Sequence, residues 1–396
     1  MNKRRLRIAG ALVGDIQHDP NAKIKYGHFF AALAEHFSVV EIFDANLYGV
    51  QRYLNALRTF HPDQQRWRER FYKNVAAFRL RSQRANRHFQ TLAGQIDMIV
   101  QVGVLFDARW HSQTPPSVIY VDYTAQLAAQ RPSAGRSPFT PQQRQTWLRL
   151  EHNTFLKASH ICTRSEMVRQ SIIHDYGIAP EKVSAIGGGV NLAQLPEPVD
   201  WRPTQSPTVL FIGKELYRKG GDILLEAFAK ARRIVPEARL KMLTNGSIPN
   251  HLPDEGIEII QPTWDRPTIT SLYRAADVFV LPSRLETWGD VLLEAMSFGL
   301  PCIGVTGQAM EEIIEHESSG LLVQAGDVDE LAGSLVRLLA DADLRRRMGQ
   351  QARLKIEQEF TWADVAQRLG YYLKQVNSVE VRAAGESGSF PRARGL

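Results

Sequence analysis

A chain of 396 residues is long for one hydrophobic core and comfortable for two, because domains seldom grow past a few hundred residues. Hydrophobic residues at 44% and charged residues at 23% are ordinary globular values, which excludes wholesale disorder and a chain buried in a bilayer. The net charge of +6 is unevenly placed: residues 1–200 hold 25 Lys and Arg against 16 Asp and Glu, and the remainder hold 23 against 26.

The first element is "LRIAGALVG". The basic residues before it imitate a secretion signal, but the apolar run is short and leads into Asp15 and Asp19, so a strand is expected. After it come "YGHFFAALAEHF" with helical spacing, then the short apolar runs "SVVEIFDA", "IDMIVQVG", "SVIYVDYT", "SHICTRS" and "KVSAIGGG". Apolar strands alternating with helices argue for a parallel sheet covered on both faces. Prolines and polar residues in "LPEPVDWRPTQSPT" read as a linker near residues 195–206, and the alternation then restarts with "VLFIG", "LKMLTNG", "IEIIQPT" and "DVFVLPS". The expected fold class is α/β. Two Rossmann-like, doubly wound parallel-sheet domains, residues 1–200 and 207–360, would face a central cleft at the carboxyl ends of their strands.

A helix over 361–378 carries Val365, Leu369, Tyr372 and Val376 on one stripe and is expected to pack across the domain boundary, with 379–396 as a loose tail. Cys162 and Cys302 each lie in an apolar run, the pattern of free thiols in a reducing compartment, so a cytoplasmic location is expected. No stretch approaches the roughly 20 apolar residues that span a bilayer. One segment breaks the alternation: residues 51–90 hold ten Arg and Lys against two acids. Trp67, Phe71, Val75 and Phe78 form an apolar face there, with Arg70, Lys73, Arg81 and Arg84 directed elsewhere. Such a helix either packs one face on the core and solvates the other, or meets an anionic membrane surface or acceptor. No groove-reading or base-stacking motif accompanies the charge, so no specific nucleic-acid partner is expected.

Three features could carry chemistry. In "SRLETWGDVLLEAMSFGLPCIG", Gly289 breaks the chain and Asp290 is a candidate N-cap for a helix whose first turns carry Glu294. A carboxylate at that place can grip two neighbouring hydroxyls, Glu286 can take further hydroxyls, and the N–H groups of Thr287, Trp288 and Gly289 suit phosphate or sugar oxygens. Acidic residues are also common at helix starts for dipole reasons alone. In "FIGKELYRKGG" a strand ends at Gly213, and Lys214 and Lys219 could neutralise a leaving diphosphate without a metal. Glycines follow other strands, Gly14 and Gly187 to Gly189, without matching a dinucleotide or P-loop fingerprint.

In order and spacing these parts resemble the retaining glycosyltransferases of family 4, with the GT-B architecture. "GKELYRKG" stands where that family has Gly-Arg with Lys five residues on, "SLYRAADVFVLPSRLETWGDVLLEAMSFGLPCIG" resembles its Glu-x7-Glu region, and "GQAMEEIIEHESSGLLV" its next segment. The resemblance is strongest over 207–360 and extends to "LEHNTFLKASHICTRSEMVRQSIIHDYGIAPEKVSAIGGGVN"; residues 1–120 share mainly the layout. It implies that Glu294 binds the nucleotide ribose, Glu286 the donor sugar, Lys214 and Lys219 the diphosphate, with Gly213, Gly14 and Glu311 also close to the donor. It further implies a hexosyl transfer to a hydroxyl of a glycan, lipid-linked or small-molecule acceptor, with no metal or other cofactor. A non-catalytic nucleotide-sugar-binding protein on the same fold is the alternative. Lys214 in place of arginine, Trp288 in place of phenylalanine, and Gln308 and Met310 in place of glycine and proline depart from the family pattern and are expected to reshape the sugar pocket. Asp122 stands where many members carry a histidine and is expected to face donor or acceptor.

Overall fold

The structure is a computed structural model and describes residues 5–19, 22–111, 114–130, 138–197 and 206–387. Six strands, β1 (Arg7–Leu12), β2 (Ser38–Asp44), β3 (Met98–Val102), β4 (Ser117–Val121), β5 (His160–Thr163) and β6 (Val183–Ala185), form one parallel sheet in the order β2-β1-β3-β4-β5-β6. A second parallel sheet follows from β7 (Thr208–Ile212), β8 (Arg239–Leu243), β9 (Ile257–Ile260), β10 (Val278–Val280), β11 (Cys302–Val305) and β12 (Gly320–Val323), in the order β12-β11-β10-β7-β8-β9. Every residue of β3, β4, β10 and β11 is buried, as apolar strands covered by helices on both faces require. Cys162 in β5 and Cys302 in β11 are free and buried, and burial pushes both thiols up. Of the expected linker, residues 198–205 lie outside the described residues.

In each sheet the chain starts in a middle strand, builds outward to one side, then crosses to the other. The reversals fall between β1 and β3 and between β7 and β10, and such switch points open a crevice at the strand carboxyl ends.

The last helix, Trp362–Ser387, returns to the first domain, where Val365, Leu369 and Leu373 share a core with Phe29, Phe30 and Leu33 of helix His28–His36 and with its C-cap Phe37. It runs nine residues past the end expected at 378, through "NSVEVRAA", which contains neither glycine nor proline, and past Gly385 to Ser387. Tyr372 on this helix stacks on His160 of β5 at 4.3 Å, and His160 Nε2 also meets Ser184 Oγ at 3.1 Å. Burial pushes the His160 imidazole down to about 4, so the folded state holds it neutral. A histidine depressed on folding contributes stability that is complete above its unfolded value near 6.5 and is lost as pH falls towards 4. His160→Phe, which keeps the stack, is expected to flatten the fall of melting temperature between pH 6.5 and 4; an unchanged slope would remove His160 from the acid response.

The basic segment is three helices, Gly49–Arg58, Gln64–Tyr72 and Val75–Thr91, the last two divided where the Asn74 side chain accepts from Ala77 N–H as an N-cap. The expected direction of Arg81 and Arg84 is corrected by the fold. Arg81 is fully buried, donates to the Tyr72 carbonyl at 2.7 Å, and is pushed down to about 10 by burial. Arg84 lies over the rings of Phe43 and Tyr48 and donates to the Asp44 carbonyl at 2.9 Å. Long aliphatic stems let both cross the core surface while their heads meet carbonyls. A buried carboxylate, Glu151, is likewise fully engaged, accepting from Tyr176, from Trp147 Nε1 at 3.0 Å and from Ala125 N–H at 3.1 Å.

Candidate functional site

The second domain's switch point brings its charged residues together. β7 and β10 are neighbours, with Leu210 paired to Phe279, so the loop after β7 (213–220) lies beside the loop after β10 (281–289). Lys219 from the first loop and Glu286 from the second form a largely buried ion pair, and Ser283 Oγ donates to the same carboxylate at 3.3 Å. The two loops are stitched rigidly. Arg284 forks both oxygens of Asp222 at 2.7 Å, its guanidinium lies 3.8 Å from the Tyr217 ring centre, and its N–H donates to the Arg218 carbonyl at 3.0 Å. Gly220 is required for this closeness: its φ is +72°, and a Cβ there would stand 1.9 Å from the Pro282 carbonyl oxygen. Gly213 ends β7 against Lys219, and Lys214 is exposed at the mouth.

Glu294 is buried on helix Asp290–Ser297, where both of its oxygens accept from Arg266 Nη1 at 3.3 Å. Burial raises its pKa, and Arg266 opposes that. Arg266 is the first residue of helix Arg266–Arg274, capped by Asp265, whose side chain accepts from Thr268 N–H. Across the cleft stands His28 of the first domain, its pKa lowered by burial and by the positive charge of Arg266. A recess of about 750 Å³ lies at the carboxyl ends of β8 and β9, bordered by Gly246, Ser247, Asn250 and Gln261.

On the first-domain side, Asp122 follows β4 and shares an electrostatic cluster with Lys25, Tyr26, Arg164 and, from the second domain, Asp290. Arg164, buried after β5, donates to Asp290 at 2.9 Å. Its pKa is raised: burial works against the charge, and Asp290, Tyr120 and Asp122 together outweigh it. Lys25 borders this cluster: Tyr26 first, then Asp122 and Asp290, raise its pKa against the opposing effects of desolvation and of Arg164. Gly14 ends β1 with a φ of +140°, and its N–H donates to Asp44 Oδ1 at 2.9 Å.

Several expected placements are sharpened or changed. The N-cap of helix Asp290–Ser297 is Gly289, at φ +119°, and Asp290 sits one residue inside, where it pairs across the cleft with Arg164. The Trp288 indole is buried against the turn at Gly187 and Gly188 and the Phe360 ring; a Cβ on Gly188 would lie 2.8 Å from its Nε1. The Thr287 carbonyl accepts from Ser165 Oγ at 2.9 Å, so this turn is also a domain contact. Gln308 is buried with its amide tied to the Ser283 carbonyl at 2.8 Å and its oxygen to Glu286 N–H, so it positions the Glu286 loop. Met310 is buried in the second-domain core. Glu311 accepts from Gly307 N–H at 2.9 Å.

The sequence reading passes over Arg164, Lys25, Arg266 and Glu312. Glu312 accepts from Glu166 N–H at 2.9 Å with each oxygen, capping helix Glu166–His174 of the opposite domain, and burial raises its pKa. Arg164 and Lys214 share one signal, a cation within two residues of the end of an apolar strand, which picks out the first domain as readily as the second. Glu312 carries no such signal, since its partner is 146 residues away. Among the described residues no group of three or more His, Cys, Asp or Glu stands close enough to hold a metal ion.

Residues 198–355 match the family model described as glycosyl transferases group 1. That segment is a group 1 glycosyl transferase domain. Relatives matched over part of the chain include an uncharacterized glycosyltransferase of Methanocaldococcus jannaschii, 25% identical over 55% of this chain and 60% of its own, and a D-inositol 3-phosphate glycosyltransferase of Jonesia denitrificans, 31% identical over 48% and 51%. The alignments thus span little more than half the length of these relatives. Among solved structures, a sucrose-phosphate synthase from Thermosynechococcus elongatus superposes with a TM-score of 0.70 at 20% identity, covering 95% of this chain and all of that one. Anabaena HepE, solved with UDP and glucose, gives 0.59 at 16% identity over 94% and 100%. The group 1 domain therefore sits within a GT-B fold spanning both sheets.

Proposed function

We propose that this protein transfers a hexosyl group from a nucleotide diphosphate sugar to an acceptor hydroxyl, with retention at the anomeric carbon, in the manner of family 4. The observation that carries the reading is the meeting of Lys219, Glu286 and Ser283 at the β7/β10 switch point, beside Lys214, with Glu294 on the helix that follows. Lys214 and Lys219 would hold the diphosphate, Glu294 the ribose hydroxyls, and Glu286 the sugar hydroxyls, while the recess beside β8 and β9 gives room for the base.

The C1–O bond of the donor breaks as the nucleoside diphosphate departs, and the acceptor oxygen bonds C1 from the same face. Its proton passes to the departing phosphate oxygen, so no side-chain base is required. The Lys219 ammonium, held by Glu286, and the exposed Lys214 beside it would supply the charge stabilisation that the leaving group needs, and no metal or cofactor is called for. Asp122, Lys25 and Arg164, which cluster with Asp290 at the start of the Glu294 helix, would form the acceptor side; the acceptor would be a glycan, lipid-linked or small-molecule hydroxyl, reached in the cytoplasm or at the inner face of a membrane.

The test is a panel of UDP-, GDP- and ADP-sugars with candidate acceptors, read as nucleoside diphosphate release and product stereochemistry. One donor turned over with retention is the expected result. Donor binding without turnover would make the protein a non-catalytic binder, and no binding by any donor would end the proposal.

A further inference from the structure

Helix Gly49–Arg58 is built inside out. Its polar Asn55 is buried, donating to the Phe71 carbonyl at 2.9 Å, and Thr59, one turn on, is buried with its hydroxyl on the Asn55 carbonyl at 2.7 Å. Val50, Tyr53, Leu54 and Leu57 fall within an arc of roughly 100° on the opposite side of the helix. These four and Phe60, just beyond the helix, are between 60% and 75% exposed. A helix folded only for water would present the reverse, and a contiguous apolar patch of this kind marks an interaction surface.

Charge selects the occupant. Exposed Arg52 and Arg58 lie on the same helix, and exposed Arg66, Arg68 and Arg70 follow on helix Gln64–Tyr72. The two helices are held as one hairpin by Trp67 Nε1, which donates to the Ala56 carbonyl at 3.1 Å, and by the Phe60 ring edge-on to Trp67. Large apolar side chains ringed by arginine suit the boundary of an anionic bilayer, where rings and aliphatic chains enter the acyl layer and guanidinium groups meet phosphates. The hairpin also reaches the cleft, since Gln65 Nε2 donates to Glu215 Oε1 at 3.3 Å in the loop that carries Lys214 and Lys219.

We propose that the exposed face of helix Gly49–Arg58, together with Phe60, docks the protein on an anionic phospholipid bilayer, so that a membrane-borne acceptor hydroxyl enters the cleft from that side. The second clause rests on the transfer reading; the docking does not. It differs from the apolar face read from the sequence, because Phe78 is in the core and Trp67 is inside the hairpin.

The experiment is sedimentation of the full-length protein, without donor, on phosphatidylcholine vesicles with and without about 30% phosphatidylserine, at about 50 mM and 500 mM salt. Strong binding is expected only with the anionic lipid at low salt. The variant Leu54→Glu/Leu57→Glu is expected to bind at least about tenfold more weakly, with unchanged melting temperature because both side chains face solvent. Wild-type protein left in the supernatant with anionic vesicles, or a double variant that sediments like wild type, overturns the proposal. So does a wild-type dimer in velocity sedimentation that the double substitution splits, which would make the occupant a second copy. Because no donor is present, failure of the transfer reading leaves these outcomes unaffected.

Discussion

Lys219→Ala is expected to lower turnover of the nucleotide diphosphate sugar by about 10²–10³-fold, the usual effect of removing one fixed charge-stabilising donor from a transfer site. The side chain is mostly enclosed and is held by Glu286 and by a loop that Arg284, Asp222 and Gly220 make rigid, so its ammonium is placed before the substrate arrives. Charge that develops on the leaving diphosphate then needs no reorganisation of the protein to be met. The substitution also removes the cation that Glu286 pairs with, while Ser283 Oγ stays at 3.3 Å, and so adds repulsion towards the departing phosphate. Lys219→Arg restores charge without the compact ammonium and is expected to recover part of the rate. Steady-state kinetics beside a urea unfolding curve checks this: wild-type kcat in a folded Lys219→Ala protein would remove the role.

Glu294→Ala is expected to weaken donor binding by about 10–100-fold, with a smaller effect on kcat, because it removes hydrogen bonds made to the ribose in ground and transition state alike. The two contacts from Arg266 Nη1 are long for a charge-assisted pair, at 3.3 Å against the usual 2.7–2.9 Å, so Arg266 holds the carboxylate only loosely, with Tyr273 as its second partner. Burial raises the Glu294 pKa, so as pH falls the carboxylate is protonated earlier than an exposed one and donor affinity falls with it. Calorimetric titration of UDP and GDP across pH 4–8 measures both effects. Equal affinity in wild type and variant, or a pH-independent affinity, would leave Glu294 as a helix-start carboxylate and nothing more.

The site was partly readable one strand at a time. Gly213, Lys214 and Lys219 follow one apolar strand, and Glu286 and Glu294 follow another; strand ends are where α/β sheets bind ligands, so each group could be flagged locally. That Lys219 and Glu286 form a pair could not be read locally, because they stand 67 positions apart with β8, β9 and β10 between them. Trp288 illustrates the opposite case. Its position in the motif suggested a sugar contact, yet the ring packs on Gly188 and Phe360, whose arrival depends on how the first domain and the chain after residue 355 close over the turn. Arg81 and Arg84 mislead for a related reason, since charge patterning assigns arginine to solvent and takes no account of carbonyls waiting at strand and helix ends.

What the amino-acid order determined by itself was everything that depends on near neighbours: strands as apolar runs, helices by their period, two alternating domains, buried thiols in Cys162 and Cys302, and acids and cations placed just beyond strand ends. The tertiary structure alone decided which ends meet. The crossing of the chain from β9 back to β10 beside β7 joins Lys219 to Glu286, closure of the domains joins Arg164 to Asp290 and Glu312 to the helix at Glu166, and the buried side of helix Gly49–Arg58 is chosen by Asn55 and Thr59 rather than by its leucines. Side-chain pairing between distant segments is set by the strand order and by burial of whole faces, and neither is a property of any local window of sequence.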